Sequence, residues 1–348
     1  MNLQSKVSIL IPVYNREYLI EETIKSALDQ TYTNIEIIVV DNKSTDNTWE
    51  VLEKLTALDV RIKIFQNDTN IGPVRNWKRC IDEASGEYAK ILWSDDLIAP
   101  KFLEKTMLFL ENNEVGFVFT GTEVFVDGTS EKSDYYFIGN TGIYNNDKYI
   151  NGVLFEGNFP VSPACALFRL KDLKENLLVD IPNKVKSDFA MHAIGNDLLT
   201  FLLTAHKYES FAFVNEKLSF FRAHEGSISI QSNDGKLPLH YNLAAAYFVE
   251  NFRADLLKSL NVIIWNLLRI YSDAAINFNL NKIEDFYIDN KNFGLNYLLL
   301  IKKIIKKLSR ENMINAICLD EKYSTTKLLA TEKPVLINNP NDKFESTL

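Results

Sequence analysis

The sequence predicts an α/β fold: a mixed, mostly parallel central sheet flanked by helices, with a helical carboxyl-terminal extension. Three observations carry that expectation. Short apolar runs alternate with amphipathic stretches from Val7 to Val126, the pattern of parallel β-α-β units. Most runs stop at turn-forming residues such as Asn, Asp, Gly and Pro. Beyond Leu237 the alternation gives way to helical periodicity rich in Leu and Ile.

The elements follow in order. Val7 to Val13 reads as a buried strand, and 17–30 follows a helical pattern. Strand 35–40, helix 45–58, strand 61–65 and helix 73–84 come next, and strand 88–93, helix 101–112 and strand 115–126 complete the run. From about Asp127 the pattern is irregular. There 147–157 reads as helix, 164–169 as strand, 188–206 as helix broken near Gly195, and 211–222 as a strand or hairpin. A domain over 1–230 is therefore expected, in two halves, 1–126 and 127–230. A helical region over 237–337 and a loose polar tail over 338–348 follow it.

Composition narrows the function classes. A chain of 348 residues with 46% hydrophobic residues has ample material for a core without disulfide or zinc staples. The net charge of -8 argues against broad nucleic-acid binding, which needs a basic footprint. Cys80, Cys165 and Cys318 are widely spaced and show no paired metal-ligand pattern. No run reaches the length of a membrane span, and no secretory signal is evident before the first strand, so a cytoplasmic protein is expected. The segment 297–308 mixes lysines with aliphatic residues. It reads either as a packed helix with a solvated lysine face or as peripheral contact with the inner face of the cell membrane.

In parallel sheets, ligands sit beyond the carboxyl ends of the strands. Tyr14-Asn15, Asp41-Asn42 and Asp95-Asp96 all fall at such ends, so one rim should gather them. Adjacent carboxylates after a buried strand are costly unless a cation or donors meet them. Asp95-Asp96 therefore suggests Mg2+ or Mn2+ shared with a phosphorylated ligand, the alternative being a plain turn or helix cap. The Tyr14 ring, behind the rigid Pro12, offers a stacking face. Asp41 only accepts hydrogen bonds and suits the imino proton of a pyrimidine. Ser44 or Thr45 is expected to cap the next helix, with Asp46 adding charge near its start. Gly72-Pro73 suits a helix start, and the Arg75 fork suits a phosphate.

Together, Ser8 to Asn15, Ile38 to Asp46, Asn70-Ile71-Gly72 with Arg75-Asn76, and Ser94-Asp95-Asp96 resemble the family 2 glycosyltransferases of GT-A fold. The resemblance is close over about the first 125 residues and looser to about Ser229. It implies an inverting, metal-assisted transfer of one sugar from a nucleoside-diphosphate sugar, UDP by preference. The acceptor it implies is a hydroxyl of a glycan or lipid-linked glycan. By position, Pro12, Tyr14, Asn15 and Asp41 would line the nucleotide pocket, Arg75 would meet base or diphosphate, and Asp95 the ribose or sugar. Asp96 would ligate Mn2+ or Mg2+. Gly195-Asn196-Asp197 stands where the family places its Glu-Asp base pair, so Asp197 is the expected base although Asn replaces Glu. Asp188 is its rival. Phe221 to Ser229 resembles the histidine motif, which makes His224 a second metal ligand. The other histidines default to structural roles. Ser162 to Ala166 occupies the place of the glycine-bearing donor loop but lacks glycine. Two other readings stay open: a non-catalytic nucleotide-sugar-binding protein, and a sugar nucleotidyltransferase, whose glycine-rich signature is missing.

Overall fold

Strands of the amino-terminal half read as continuous apolar runs because both of their faces are covered. In the computed structural model, which describes residues 5–224, 235–303 and 305, β1 (Val7–Val13) and β2 (Ile35–Asp41) are buried at every position. Val7, Ile9, Ile11 and Val13 enter one apolar core with Ile37 and Val39, while Leu10, Ile38 and Val40 enter the other. That two-residue alternation divides the helices between two layers.

One layer holds α1 (Ile20–Leu28), α2 (Thr48–Thr56) and α4 (Phe102–Leu110). The other holds α3 (Pro73–Glu83), α5 (Asn146–Asn151), α6 (Leu170–Asn176), α7 (Phe189–His192) and α8 (Asn196–Lys207). The helices Lys236–Phe252 and Leu257–Ile270 join this second core through Leu243, Phe248, Leu260 and Ile264.

The remaining strands are β3 (Ile62–Gln66), β4 (Tyr88–Ile91), β5 (Leu97–Ile98), β6 (Val115–Val126), β7 (Lys132–Tyr135), β8 (Gly142–Asn145), β9 (Ala166–Arg169) and β10 (Ser210–Ala223). The sheet order is β3-β2-β1-β4-β9-β6-β10-β5, with β7 on β6 and β8 on β10. β3, β2, β1 and β4 run parallel, as do β6 and β10, while β9 lies antiparallel between β4 and β6. The sheet is thus mixed, as expected.

β7 and β8 go unread in the sequence, since each is only four residues long, too short to show a clear apolar alternation. The 147–157 stretch is helical as expected, an α-helix over Asn146–Asn151 that continues as a wider π-helical turn over Gly152–Glu156. Helix α2 starts at Thr48, later than expected, because the Asp41 carboxylate captures the backbone and hydroxyl of Ser44. The Asp46 carboxylate instead receives Thr48 N–H at 3.0 Å, and neither Ser44 nor Thr45 caps the helix. Residues 225–234, which include the end of the histidine motif from Glu225 to Ser229, lie outside the described residues. So do Cys318, the end of the 297–308 segment, all of 306–337 and the whole 338–348 tail. Among the described residues no helix is long and apolar enough to cross a membrane.

Candidate active site

The chain order folds a crevice at one place in the sheet. From β1 the connections lead to β2 and β3 on one side, and β4 lies on the other. Ligands bind at such switch points, beyond the carboxyl ends of the strands. β4 leaves β1 early, its register ending at Leu10 opposite Ile91, while β1 continues beside β2 to Val13 opposite Asp41. Pro12 therefore sits where one edge of β1 lies beyond that pairing, a position where a strand tolerates proline.

Two loops close the β1–β2 side. Asn15 adopts φ 52°, a conformation Asn accepts better than most residues, and its side-chain oxygen receives Thr45 N–H at 2.8 Å. Ser44 Oγ receives Asn15 N–H at 2.9 Å. Buried Asp41 accepts Gln66 Nε2 at 2.8 Å in addition to Ser44. Asn15 and Asp41 are thus engaged in holding the rim, while Tyr14 keeps 39% of its surface exposed for a stacking partner. Behind them Asn67 Nδ2 donates to Asn42 and Asn76, both at 2.9 Å, tying α3 to the β2 and β3 ends.

On the other side, β5 pairs with β10, Leu97 opposite Phe220, and this closes a chain separation of more than a hundred residues. Arg222 N–H donates to Asp96 Oδ1 and Arg222 Nε to the Asp95 carbonyl, both at 3.0 Å. His224 follows, with Nε2 2.9 Å from Asp95 Oδ2. Arg16 crosses from the β1 loop to the same oxygen at 3.3 Å. Three of the expected residues, Asp95, Asp96 and His224, therefore meet, joined by Arg16, which sequence reasoning missed.

The two carboxylates differ. Burial works against the Asp95 charge, but His224 and Arg16 overcome it and hold its pKa below the usual value. Burial and the neighbouring Asp95 charge push Asp96 well above it, and Arg222 N–H and Lys90 offset this only in part. Lys90 is fully buried in β4 and donates to the Ala164 carbonyl, and burial lowers its pKa to about 7. With Trp93 Nε1 donating to Ser162 Oγ at 2.9 Å, it fastens the glycine-free 162–166 segment to β4. A lysine inside an apolar run was the visible signal for Lys90.

Two expected residues lie apart from this cluster. Arg75 is on the exposed side of α3, 3.8 Å from Asp180, and no hydrogen bond among the described residues ties it to the rim. Asp197 stands in the first turn of α8, after Gly195 at φ 113°. Its Oδ1 accepts the N–H groups of Gly195 at 3.1 Å and Leu198 at 2.8 Å, and its Oδ2 accepts the Tyr241 hydroxyl at 2.8 Å. Burial raises its pKa to about 6, and these donors limit the rise. The rival Asp188 is exposed and caps α7 through Met191 N–H.

Comparison with known proteins adds to this geometry. Residues 8–177 match the family model described as glycosyl transferase family 2. The GalNAc(5)-diNAcBac-PP-undecaprenol beta-1,3-glucosyltransferase of Campylobacter jejuni is 35% identical over 128 residues, 36% of this chain and 41% of that protein. S. aureus TarS 1-349 in complex with UDP has a similar fold, with TM-score 0.55 and 20% identity, over 78% of this chain and 73% of that one. Mannosyltransferase PcManGT from Pyrobaculum calidifontis, in complex with GDP-Man and Mn2+, aligns with TM-score 0.50 and 17% identity over 79% and 76% of the two chains. The chain spans 33% to 55% of the length of the first curated relatives it matches.

Proposed function

We propose that this chain, whose residues 8–177 match the glycosyl transferase family 2 model, moves one sugar from a nucleoside-diphosphate sugar to a glycan or lipid-linked glycan hydroxyl. UDP is the preferred nucleotide, and the anomeric carbon inverts. The observation that carries this reading is the rim at the β1–β4 crevice, where Arg16, Asp95, Asp96 and His224 converge. The undecaprenol-linked substrate in the name of the Campylobacter relative supports the lipid-linked acceptor.

The donor set fits a divalent cation. Asp96 is the carboxylate whose charge is opposed by burial and by Asp95, which a cation would relieve, and the His224 imidazole on the same rim is a ligand type that suits Mn2+. Among the described residues no three such side chains form a cage, so diphosphate oxygens and waters would complete the shell, as is usual for Mg2+. Bound there, Mn2+ or Mg2+ would neutralise charge on the leaving diphosphate.

Tyr14 stacks on the base in this reading, and Asp41 meets its imino group. Pro12 and Asn15 fix the pocket wall, Arg75 steadies base or diphosphate, and Asp95 reaches ribose or sugar. Asp197 takes the proton of the acceptor hydroxyl as its oxygen bonds the anomeric carbon and the bond to the diphosphate breaks, through an oxocarbenium-like transition state. Oδ1 already accepts two donors and Oδ2 one, so Oδ2 is the oxygen with a lone pair left for this proton.

A thermal-shift screen with UDP-, GDP- and dTDP-sugars tests the donor. With Mn2+ present, the UDP-sugars should raise the melting temperature most. A rise with GDP- or dTDP-sugars but not UDP-sugars would reassign the nucleotide. Donor binding without turnover on any acceptor would favour the non-catalytic reading, for which Asn196 and the glycine-free loop are the grounds.

The reading also places the protein in the cytoplasm, against the inner membrane face. Tyr297, Leu298 and Ile301 are exposed on one helix face beside Lys302, the combination that suits anionic lipid. Flotation with anionic liposomes should carry the protein upward, and protein left at the bottom counts against the contact.

A further inference from the structure

The family match ends at residue 177, yet the side chain bonded to Asp197 Oδ2 comes from beyond residue 235. Helix Lys236–Phe252 packs its Leu243, Ala244 and Phe248 into the same core as α8, and Tyr241 packs against that core. The approach is close. A Cβ on Gly195 would lie 2.8 Å from the Ala244 Cβ, so only glycine lets this helix press on the start of α8. We propose that the Tyr241 hydroxyl is a positioning group for Asp197, so that the helix Lys236–Phe252 completes the active site. This rests on Asp197 being the base.

The geometry singles out Tyr241. Its hydroxyl fixes Oδ2, the oxygen left to accept a proton, while the two backbone N–H groups fix Oδ1. Among the described residues, the other ionisable groups facing this region include Cys165, a buried thiol beside Tyr149 whose pKa burial pushes up. Tyr149 of α5 gives its hydroxyl to the Pro160 carbonyl at 2.7 Å, and Tyr136 faces both phenols. The rings of His192 of α7 and His240 of the same helix as Tyr241 meet edge to face, centroids 4.5 Å apart, and burial lowers both pKa values. The donor from Tyr241 steadies the charged carboxylate, so its loss should make Asp197 harder to ionise.

The test is the pH profile of kcat/KM for Tyr241→Phe, with Asp197→Asn measured alongside. The acid limb should move upward by about one pH unit, a roughly tenfold loss in the acid range that closes above about pH 8. A merely structural role would lower the profile evenly or leave it in place, and either result overturns the proposal. If Asp197→Asn keeps its turnover, the base assignment fails and takes this proposal with it. If Asp197→Asn is inactive while the Tyr241→Phe limb stays put, this proposal alone fails. Should Tyr241→Phe not fold, a fluorinated tyrosine at position 241 keeps the shape and strengthens the donor. Its acid limb should then move downward, and an unmoved limb overturns the proposal.

Discussion

Asp197→Asn is expected to lower sugar transfer by about 10²–10⁴-fold, the usual contribution of a positioned general base. Donor binding should be unchanged. The substitution is nearly isosteric. An amide oxygen can still accept Gly195 and Leu198 N–H, and the amide nitrogen can face the Tyr241 hydroxyl, which then accepts. The fold and the first turn of α8 should therefore persist, and the loss should appear in kcat. In the native protein burial raises Asp197 to about 6, so the carboxylate is mostly ionised at neutral pH but more basic than an exposed one. Activity should accordingly fall as pH drops through about 6, on the acid side. Asp188→Asn is the control. That residue is exposed and caps the one-turn helix α7, so its variant should stay within about twofold of native turnover. Normal turnover by Asp197→Asn, or collapse of turnover in Asp188→Asn, would move the base to Asp188.

What the sequence discloses of this site follows the physics of each signal. A strand buried on both faces must be a continuous apolar run, and the residue that ends it must tolerate a turn. β1, β2 and β4 with their Tyr14-Asn15, Asp41-Asn42 and Asp95-Asp96 ends were therefore legible. Asp197 and His224 were singled out only through resemblance, because nothing in their local spacing marks either as a site residue. The contact of His224 with Asp95 arises from β5 pairing on β10, a register that no local pattern encodes. Arg16 and Tyr241 were invisible for a related reason. Each acts through a partner far along the chain, and each sits in a segment whose composition is ordinary for a loop or a helix. Ser44 and Thr45 went the other way. Their local capping propensity was real, but the Asp41 carboxylate competed for Ser44 and won.

Asp96→Asn is the second large effect, and it should separate stability from function. Two observations set the expectation: burial and the charge of Asp95 both oppose ionisation of Asp96, and Arg222 N–H is its backbone donor among the described residues. An asparagine oxygen still accepts that N–H, and the like-charge repulsion disappears. The metal-free variant should thus melt no lower than the native protein. Asp95→Asn should behave oppositely and melt lower, since it weakens the contacts to Arg16 and His224 that hold the β1 loop and the β10 end together. With Mn2+ and UDP the order reverses. The native protein should gain melting temperature from the pair of ligands together, and Asp96→Asn should lose the Mn2+-dependent part of that gain. Transfer should fall by about 10²–10³-fold, the scale of removing one charge-stabilising group from a transition state. Melting curves with each ligand alone and with both, beside steady-state rates, measure these effects. An Asp96→Asn protein that keeps the Mn2+-dependent shift and turns over normally would remove Asp96 as the ligand, leaving Asp95 as the carboxylate that meets the cation.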